Sequence, residues 1–352
     1  MRMASFLVRE NASESRVNSE AKVTPGALSS VAVRRGPIGD IATTGRGATL
    51  VTHPGDDSVT LLNPRTLAVE AIMAVPGEPF AVAVTADRAY VSTSSWSHKD
   101  EVAVIDPATR TVLRTYPLAF SITALAVSPD GKRVYAGRTG DGHIDVAVID
   151  VTAERVGTID VATGAGIGID ALEVDSTGER LYIATTDARG SGLVVVDIET
   201  ARVERAVPIG PPVRDIAIAD GTAYVLTSDR VSGGVLNVID LATGRIAGLV
   251  EIGGAPTQLA MGADKTRAYI VDYDRIVVVC AMTLDVVDTI DMDVQPSSVA
   301  VDFHGGRLYV ADYDGGVTVF SIDTTVPLLY SHFIATDPIV VPEVHEPEPA
   351  TV

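Results

Sequence analysis

The sequence has little of what several protein classes need. It contains one cysteine, Cys280, in 352 residues, so no intramolecular disulfide can form. Lysine is rare, with four residues (Lys22, Lys99, Lys132 and Lys265), and the formal net charge is −19. Nucleic-acid binding requires a basic surface that neutralises phosphates. This charge balance therefore argues against a nucleic-acid partner.

Long apolar segments are also missing. The start, MRMASFLVRENASESR, has an apolar run of about five residues, whereas a secretory signal needs roughly seven to fifteen. No stretch approaches the roughly 18 uninterrupted apolar residues of a membrane-spanning helix. We therefore expect a cytoplasmic protein without direct membrane insertion.

Aromatic residues make up only 5% of the chain, although 46% of the residues are hydrophobic. The core must therefore consist mainly of Val, Ile, Leu and Ala, a mixture that favours strands. No segment shows a helical pattern of competing length. Fold class is accordingly all-β.

One unit recurs along the chain. Six tyrosines and one leucine mark its copies at intervals of 40, 45, 47, 42, 45 and 40 residues, namely Leu50, Tyr90, Tyr135, Tyr182, Tyr224, Tyr269 and Tyr309. Each copy contains four short strand-like phrases, such as ITALAVS, the strand with the tyrosine, VAVID and TVLRTYPL. Seven units of this length predict a seven-bladed β-propeller of four-stranded antiparallel blades.

The first strand of each unit has an alanine at one equivalent position, which suits the crowded axis of a propeller. The alanines are Ala42, Ala83, Ala126, Ala217, Ala260 and Ala300. The fourth unit has Glu173 instead. A charge near the axis needs water or a partner. We expect Glu173 either to serve a function or to face channel water.

Turns after the third strand begin with Asn63, Asp106, Asp197 or Asp240. Such side chains accept hydrogen bonds from main-chain N–H groups two or three residues on. We therefore interpret these acids as structural rather than catalytic.

The propeller is predicted to span residues 27–335. Residues 1–26 form a flexible N-terminal segment, and the acidic, proline-rich tail 336–352 is expected to be disordered. The strand ALSSVAVRR (27–35) is predicted to close the ring as the outer strand of the last blade. The competing segment is VPLLYSHFI (326–334).

The hairpins YVSTSSW…VAVIDPATRTV, LYIATT…LVVVDIETARV and LYVADYDGGVTVFSID resemble the YVTN-type repeats of seven-bladed propellers. The likeness covers roughly residues 38–325, and the arginine-rich composition looks most like a mycobacterial propeller group. This resemblance implies a protein partner, a membrane transporter complex that exports trehalose mycolates in the cell envelope. The chain would then lie peripheral to the inner membrane through that partner.

Segments between the second and third strands are long in units two to five: STSSWSHKDE, GRTGDGHID, TTDARGSG and TSDRVSGG. Interpreted as loops, they surround one mouth of the channel, and loops on a rigid scaffold commonly carry function. Trp96, the only tryptophan, either anchors an interface, packs on its own loop or stacks on a ligand. The predicted partner-binding residues are Trp96, His98, Lys99, Arg138, His143, Arg189 and Arg230.

A second group of polar residues stands at the entry of the inner strands, namely Asp40, Asp170, Glu173, Arg214 and Asp215. With Gln258 and Thr123, these carboxylates could hold Ca²⁺. The alternative for Asp215 is a salt bridge with Arg214.

No metal ion or other cofactor is predicted. His98 and His143 lie in neighbouring units, but two histidines without a third are a weak metal signal, and His53 is one unit further round. Hydrolase signatures such as G-x-S-x-G and H-E-x-x-H are absent, so no catalytic residue is assigned.

Two functions follow from these features. The first is a non-enzymatic scaffold that binds a protein through the channel mouth. The alternative is a lactonase-like hydrolase or small-ligand binder that uses Glu173 with His98 or His143.

Overall fold

Seven four-stranded antiparallel sheets follow one another along the chain. A computed structural model describes residues 26–95, 99–119, 121–302, 304 and 306–322. Within these residues the helical content is one 3₁₀ turn, Pro54–Asp56. The predicted seven-bladed β-propeller is confirmed.

Blades are numbered in chain order. Blade 1 consists of β2 (Ile41–Thr43), β3 (Thr49–His53), β4 (Ser58–Leu62) and β5 (Val69–Ala74), and blade 2 of β6 (Glu78–Val84), β7 (Ala89–Ser94), β8 (Glu101–Asp106) and β9 (Thr111–Pro117). Blade 3 consists of β10 (Ser121–Val127), β11 (Arg133–Gly140), β12 (His143–Asp150) and β13 (Arg155–Thr163), and blade 4 of β14 (Gly168–Val174), β15 (Arg180–Asp187), β16 (Gly190–Asp197) and β17 (Arg202–Gly210). Blade 5 consists of β18 (Val213–Ala219), β19 (Thr222–Asp229), β20 (Gly233–Asp240) and β21 (Arg245–Gly253), and blade 6 of β22 (Pro256–Met261), β23 (Arg267–Asp272), β24 (Arg275–Cys280) and β25 (Val286–Asp291). Blade 7 consists of β26 (Pro296–Val301), β27 (Arg307–Asp312), β28 (Gly316–Ser321) and the N-terminal strand β1 (Ala27–Ala32).

The N-terminal strand β1 closes the ring, as predicted. It pairs antiparallel with β28, with Val31 opposite Val317. At the axis, the first strands of successive blades contact one another, including β26 with β2. The competing segment 326–334, the tail 336–352 and residues 1–25 lie outside the described residues.

The repeated tyrosines and alanines face each other within the blades. Ala217 lies opposite Tyr224, and Glu173 lies opposite Tyr182 at the same register. Each tyrosine also packs against the next blade, as Tyr135 does with the apolar residues of blade 4. One blade cannot bury both faces alone, whereas copies in a ring bury one another and protect their edges.

The acids after the third strands are structural, as predicted. Asp106 Oδ1 accepts hydrogen bonds from the N–H groups of Ala108 (2.9 Å) and Thr109 (3.3 Å). Asn63 Oδ1 accepts those of Arg65 and Thr66, both at 3.0 Å. These side chains hold the turns and leave no carboxylate free for chemistry.

No helix among the described residues is both long enough and apolar enough to cross a membrane.

Candidate functional site

The candidate site is the channel mouth that carries the hairpins between second and third strands. In blades 3, 4 and 5 these hairpin strands are eight residues long, whereas in blades 6 and 7 they are six. At about 3.3 Å per residue, two further residues extend a hairpin by about 7 Å. The mouth is therefore stepped, with a high side formed by blades 3 to 5 and a low side formed by blades 6 and 7.

The long segments of blades 3 to 5 differ from the sequence interpretation. They are strand extensions closed by tight turns rather than loops. In blade 4 the turn contains only Ala188 and Arg189, and Asp187 Oδ1 accepts the N–H of Arg189 at 2.7 Å. In blade 5 Asp229 Oδ1 accepts the N–H groups of Val231 and Ser232. The small polar residues of these segments suggested loops. They nevertheless continue the hydrogen-bonded strands, because they pair in register with the residues across the hairpin.

The predicted partner-binding residues fall into separate groups. Lys99, Arg189 and Arg230 are exposed at the mouth. Trp96 and His98 lie outside the described residues.

Arg138 differs from the expectation that it lies in an exposed loop. It belongs to β11 and is only 6% exposed. Its Nε donates to Asp145 Oδ1 at 2.6 Å, and Asp145 is 3% exposed. His143, on β12, is also engaged with Asp145. Arg138 is therefore part of a buried ion pair and not of the surface that meets solvent.

Four polar side chains line the channel at one equivalent position, two residues before the repeat alanine of each blade. We call this set the axial belt; its members are Asp215, Gln258, Ser298 and Asp40, from blades 5, 6, 7 and 1. Each accepts a hydrogen bond from a main-chain N–H of the next blade. The donors are Leu259 to Asp215 (2.8 Å), Val299 to Gln258 (2.7 Å), Ile41 to Ser298 (3.1 Å) and Val82 to Asp40 (2.9 Å). The belt therefore links blades 5, 6, 7, 1 and 2 at their otherwise unpaired inner edges.

Asp40 is the most heavily bonded member of the belt. Besides Val82, its carboxylate accepts hydrogen bonds from Gln258 Nε2 (3.2 Å), Ser298 Oγ (2.8 Å) and its neighbour's N–H, that of Ile41 (2.9 Å). Its oxygens are thus taken up by the fold, which gives the Ca²⁺ alternative no support at this residue.

Asp215 does not form the salt bridge with Arg214 that the sequence offered as an alternative to Ca²⁺ binding. The Asp215 oxygens accept the N–H groups of Ile216 (2.8 Å) and Leu259, whereas Arg214 Nη2 donates to the carbonyl of Ser228 at 3.4 Å. Adjacent residues of a strand point to opposite faces, which separates the two side chains. Asp170 lies exposed nearby and accepts the hydroxyl of Thr186.

Glu173 also accepts a hydrogen bond from the next blade, but it does so from a different position on its strand. Blade 4 has Ala171 at the belt position, and Glu173 stands two residues later. Its Oε2 accepts the N–H of Ile218, on the inner strand of blade 5, at 3.1 Å. The longer side chain therefore supplies the acceptor that alanine cannot, which explains why this unit departs from the alanine rule.

The channel carboxyls hold protons more tightly than carboxyls in water. The pKa of Glu173 is raised to about 8, mainly by burial; the bond from Ile218 opposes this rise and the nearby Asp215 charge adds to it. Burial likewise raises the pKa of Asp215 to about 7 and raises that of Asp40. Each side chain keeps partial exposure along the channel, but protein surrounds it on all other sides. Desolvation therefore dominates these shifts.

Two exposed tyrosines at the low side were missed by the sequence analysis. Tyr273 is 64% exposed and Tyr313 is 46% exposed, in the short turns DYDR and DYDGG. Tyr273 also has a φ of +47°, a left-handed conformation that glycine and asparagine favour. The signal in the sequence is a tyrosine at the same place in two short hairpin turns.

Structural comparison supports the fold. Hydrazine synthase from Kuenenia stuttgartiensis aligns with a TM-score of 0.72 and 20% identity over 86% of this chain and 98% of that chain. This likeness concerns architecture alone. No family model matches the chain, so the YVTN-type resemblance remains a prediction.

Sequence comparison identifies the relatives. The chain is 36% identical to the seven-bladed β-propeller protein Rv1057 of Mycobacterium tuberculosis over 359 residues, covering 90% of this chain and 91% of that protein. It is 51% identical to a seven-bladed β-propeller protein of Mycolicibacterium smegmatis over 310 residues, covering 88% and 84% respectively. The chain belongs to the mycobacterial seven-bladed β-propeller proteins.

Proposed function

We propose that the chain is a non-enzymatic scaffold that binds a protein partner across the stepped mouth. The observation that carries this proposal is Tyr273. A left-handed backbone costs a residue other than glycine about 1 kcal/mol. The tyrosine ring recovers nothing from the core because it is 64% exposed. Tyr273 is the one aromatic residue among the ten described non-glycine residues with a positive φ, and its exposed ring at such a position indicates a role outside the fold.

The residue types around the mouth suit an interface. Tyrosine, tryptophan and arginine are the commonest anchors of protein interfaces. Tyr273 and Tyr313 stand on the low side, and Arg189 and Arg230 stand on the tips of the high side. A partner segment that crosses the step would contact both sets. Arg138 is not in this set because it is buried.

The partner class follows from the family resemblance. We propose a membrane transporter complex that exports trehalose mycolates, with the chain in the cytoplasm and peripheral to the inner membrane through that complex. The exposed Lys99, Arg189 and Arg230 of the mouth favour a partner surface that is acidic.

The decisive experiment replaces Tyr273 by asparagine and compares pull-downs from the native cells. Asparagine tolerates the left-handed backbone, so Tyr273→Asn should keep or raise the melting temperature and reduce recovery of the transporter components at least tenfold. The control is Met282→Asn, because Met282 is equally exposed in blade 6 but lies at the opposite end of its strands. If Tyr273→Asn retains every wild-type partner, the mouth is not the interface.

The hydrolase alternative gains no support from the described contacts. Glu173 accepts the N–H of Ile218, and His143 contacts Asp145 and Asp160. Glu173 and His143 are thus engaged in separate contacts, and His98, the other histidine of this hypothesis, lies outside the described residues.

A further inference from the structure

A cluster of titratable side chains lies on the face of blade 3 that packs against blade 2. Alternate residues of a strand share a face, so His143 and Asp145 of β12 point the same way. Arg138 lies opposite Asp145 on β11, and Asp160 lies opposite it on β13. Ala147, the next residue on this face of β12, packs in the core shared with blade 2. The cluster is therefore fixed by three paired strands.

The distances within the cluster are short. His143 Nε2 lies 3.2 Å from Asp145 Oδ2 and 3.7 Å from Asp160 Oδ1. One donor atom from each of the three residues lies within 4.8 Å of the other two. Asp145 is nine-tenths buried or more, at 3% exposure, and its second oxygen is aimed at His143 rather than at solvent.

We propose that His143, Asp145 and Asp160 bind a divalent transition-metal ion such as Zn²⁺, Co²⁺ or Mn²⁺. One imidazole nitrogen with two carboxylate oxygens is a donor set that these ions accept. Ligand atoms about 2.1 Å from a metal are about 3 to 4 Å from one another, which small side-chain adjustments of this cluster reach. The sequence assigned no metal here because nothing in it combines His143 and Asp145 with Asp160, whereas the fold brings the three together.

Arg138 gives the site its rigidity. Its guanidinium holds Asp145 Oδ1 at 2.6 Å, while Oδ2 lies 3.2 Å from His143 Nε2, a contact that a bound metal would replace. A charged group that bonds the outer oxygen of a ligating carboxylate fixes its orientation, as such partners do in known metal sites. With one guanidinium and two carboxylates, the site has a net charge of about −1 before an ion binds.

The site is open on one side. The side chain of Asp160 is 86% exposed and that of His143 is 31% exposed, so an ion and its remaining water ligands have a direct path from solvent. Three protein ligands with open positions are the arrangement of reactive metal sites rather than of closed structural ones.

The test is titration of the untagged, chelator-treated protein with CoCl₂ and ZnCl₂, followed by calorimetry and by the visible absorption of Co²⁺. We expect one saturable site per chain. His143→Ala and Asp160→Asn should each weaken binding at least tenfold, and both should fold because these side chains reach solvent. Asp141→Asn is the matched control, an exposed acid of the same hairpin outside the cluster.

Two results would overturn the proposal. One is the lack of saturable binding for both ions. The other is saturable binding whose affinity either variant leaves unchanged. Melting temperatures of the variants without metal verify that each is folded.

Discussion

The axial belt lies at the first strands of the blades and the stepped mouth at the hairpins between second and third strands, and their polar side chains are used differently. In the belt, Asp40 accepts four hydrogen bonds, of which three come from other blades and tie them together. At the mouth, Tyr273 and Arg189 project into solvent, and Tyr273 does so with a strained backbone. Polar groups near the axis therefore serve the fold, whereas those on the hairpin tips are free for a partner.

This difference shows where function can be sought in a propeller. The inner strand of each blade has an unpaired edge, and buried main-chain N–H groups must find acceptors. Nearby carboxyls are drawn into that task. A charged residue near the channel is thus weak support for a ligand site until its hydrogen bonds have been assigned.

The largest expected effect tests whether Arg138 stabilises the fold, as the belt residues do, or binds a partner, as proposed for the mouth residues. Arg138→Met leaves the buried Asp145 without its guanidinium, and we expect the free energy of unfolding to fall by about 3 kcal/mol. Urea denaturation measures this loss, with Arg189→Met as the exposed control near zero. A stable Arg138→Met that loses its partner would instead return Arg138 to the binding surface.

A somewhat smaller loss is expected in the belt. Asp40→Ala removes the acceptor of Val82 N–H and of the Ser298 hydroxyl, and each buried group left unpaired costs about 1 to 3 kcal/mol. We expect the free energy of unfolding to fall by about 2 kcal/mol. Partner recovery, normalised to folded protein, should match that of the wild type, and a selective loss of binding would break the distinction between belt and mouth.

The pH dependence of stability tests the channel carboxyls. The pKa of Glu173 is raised to about 8 in the folded state, above its unfolded value, so its contribution is present at low pH and is lost as pH rises through about 8. The melting temperature should therefore fall between pH 6 and pH 9. Glu173→Gln, which stays neutral and keeps an acceptor for Ile218, should flatten this dependence. An equal slope in the variant would assign the effect elsewhere.

The smallest effect concerns the repeated turns. Asp106→Ala removes the acceptor of the Ala108 and Thr109 N–H groups, and we expect a loss of about 1 kcal/mol in the free energy of unfolding because water replaces part of it. Asp141→Ala, on the opposite face, should change it by less than about 0.5 kcal/mol. Equal losses would remove the structural role assigned to these turns.

The fold was predictable to the level of strand count and ring closure. Leu50, Tyr90 and their equivalents recur with hydrophobic segments around them, and Ala83 lies opposite Tyr90 as the repeat alignment requires. The site was predictable only in part. Arg138 was misplaced because GRTGDGHID contains turn-forming residues, while pairing in register makes this segment part of two strands.

The sequence by itself determined the number of blades and their four strands, because these depend on local patterns that each copy repeats, whereas the strand that joins the two ends was left between two candidate segments. Only the tertiary structure decided what the polar residues do. Asp40 meets Ser298, 258 residues away, and Asp145 meets Asp160 across a hairpin. Such neighbours are set by the closure of the ring and the register of the sheets, and neither the composition nor the spacing of a single segment contains them.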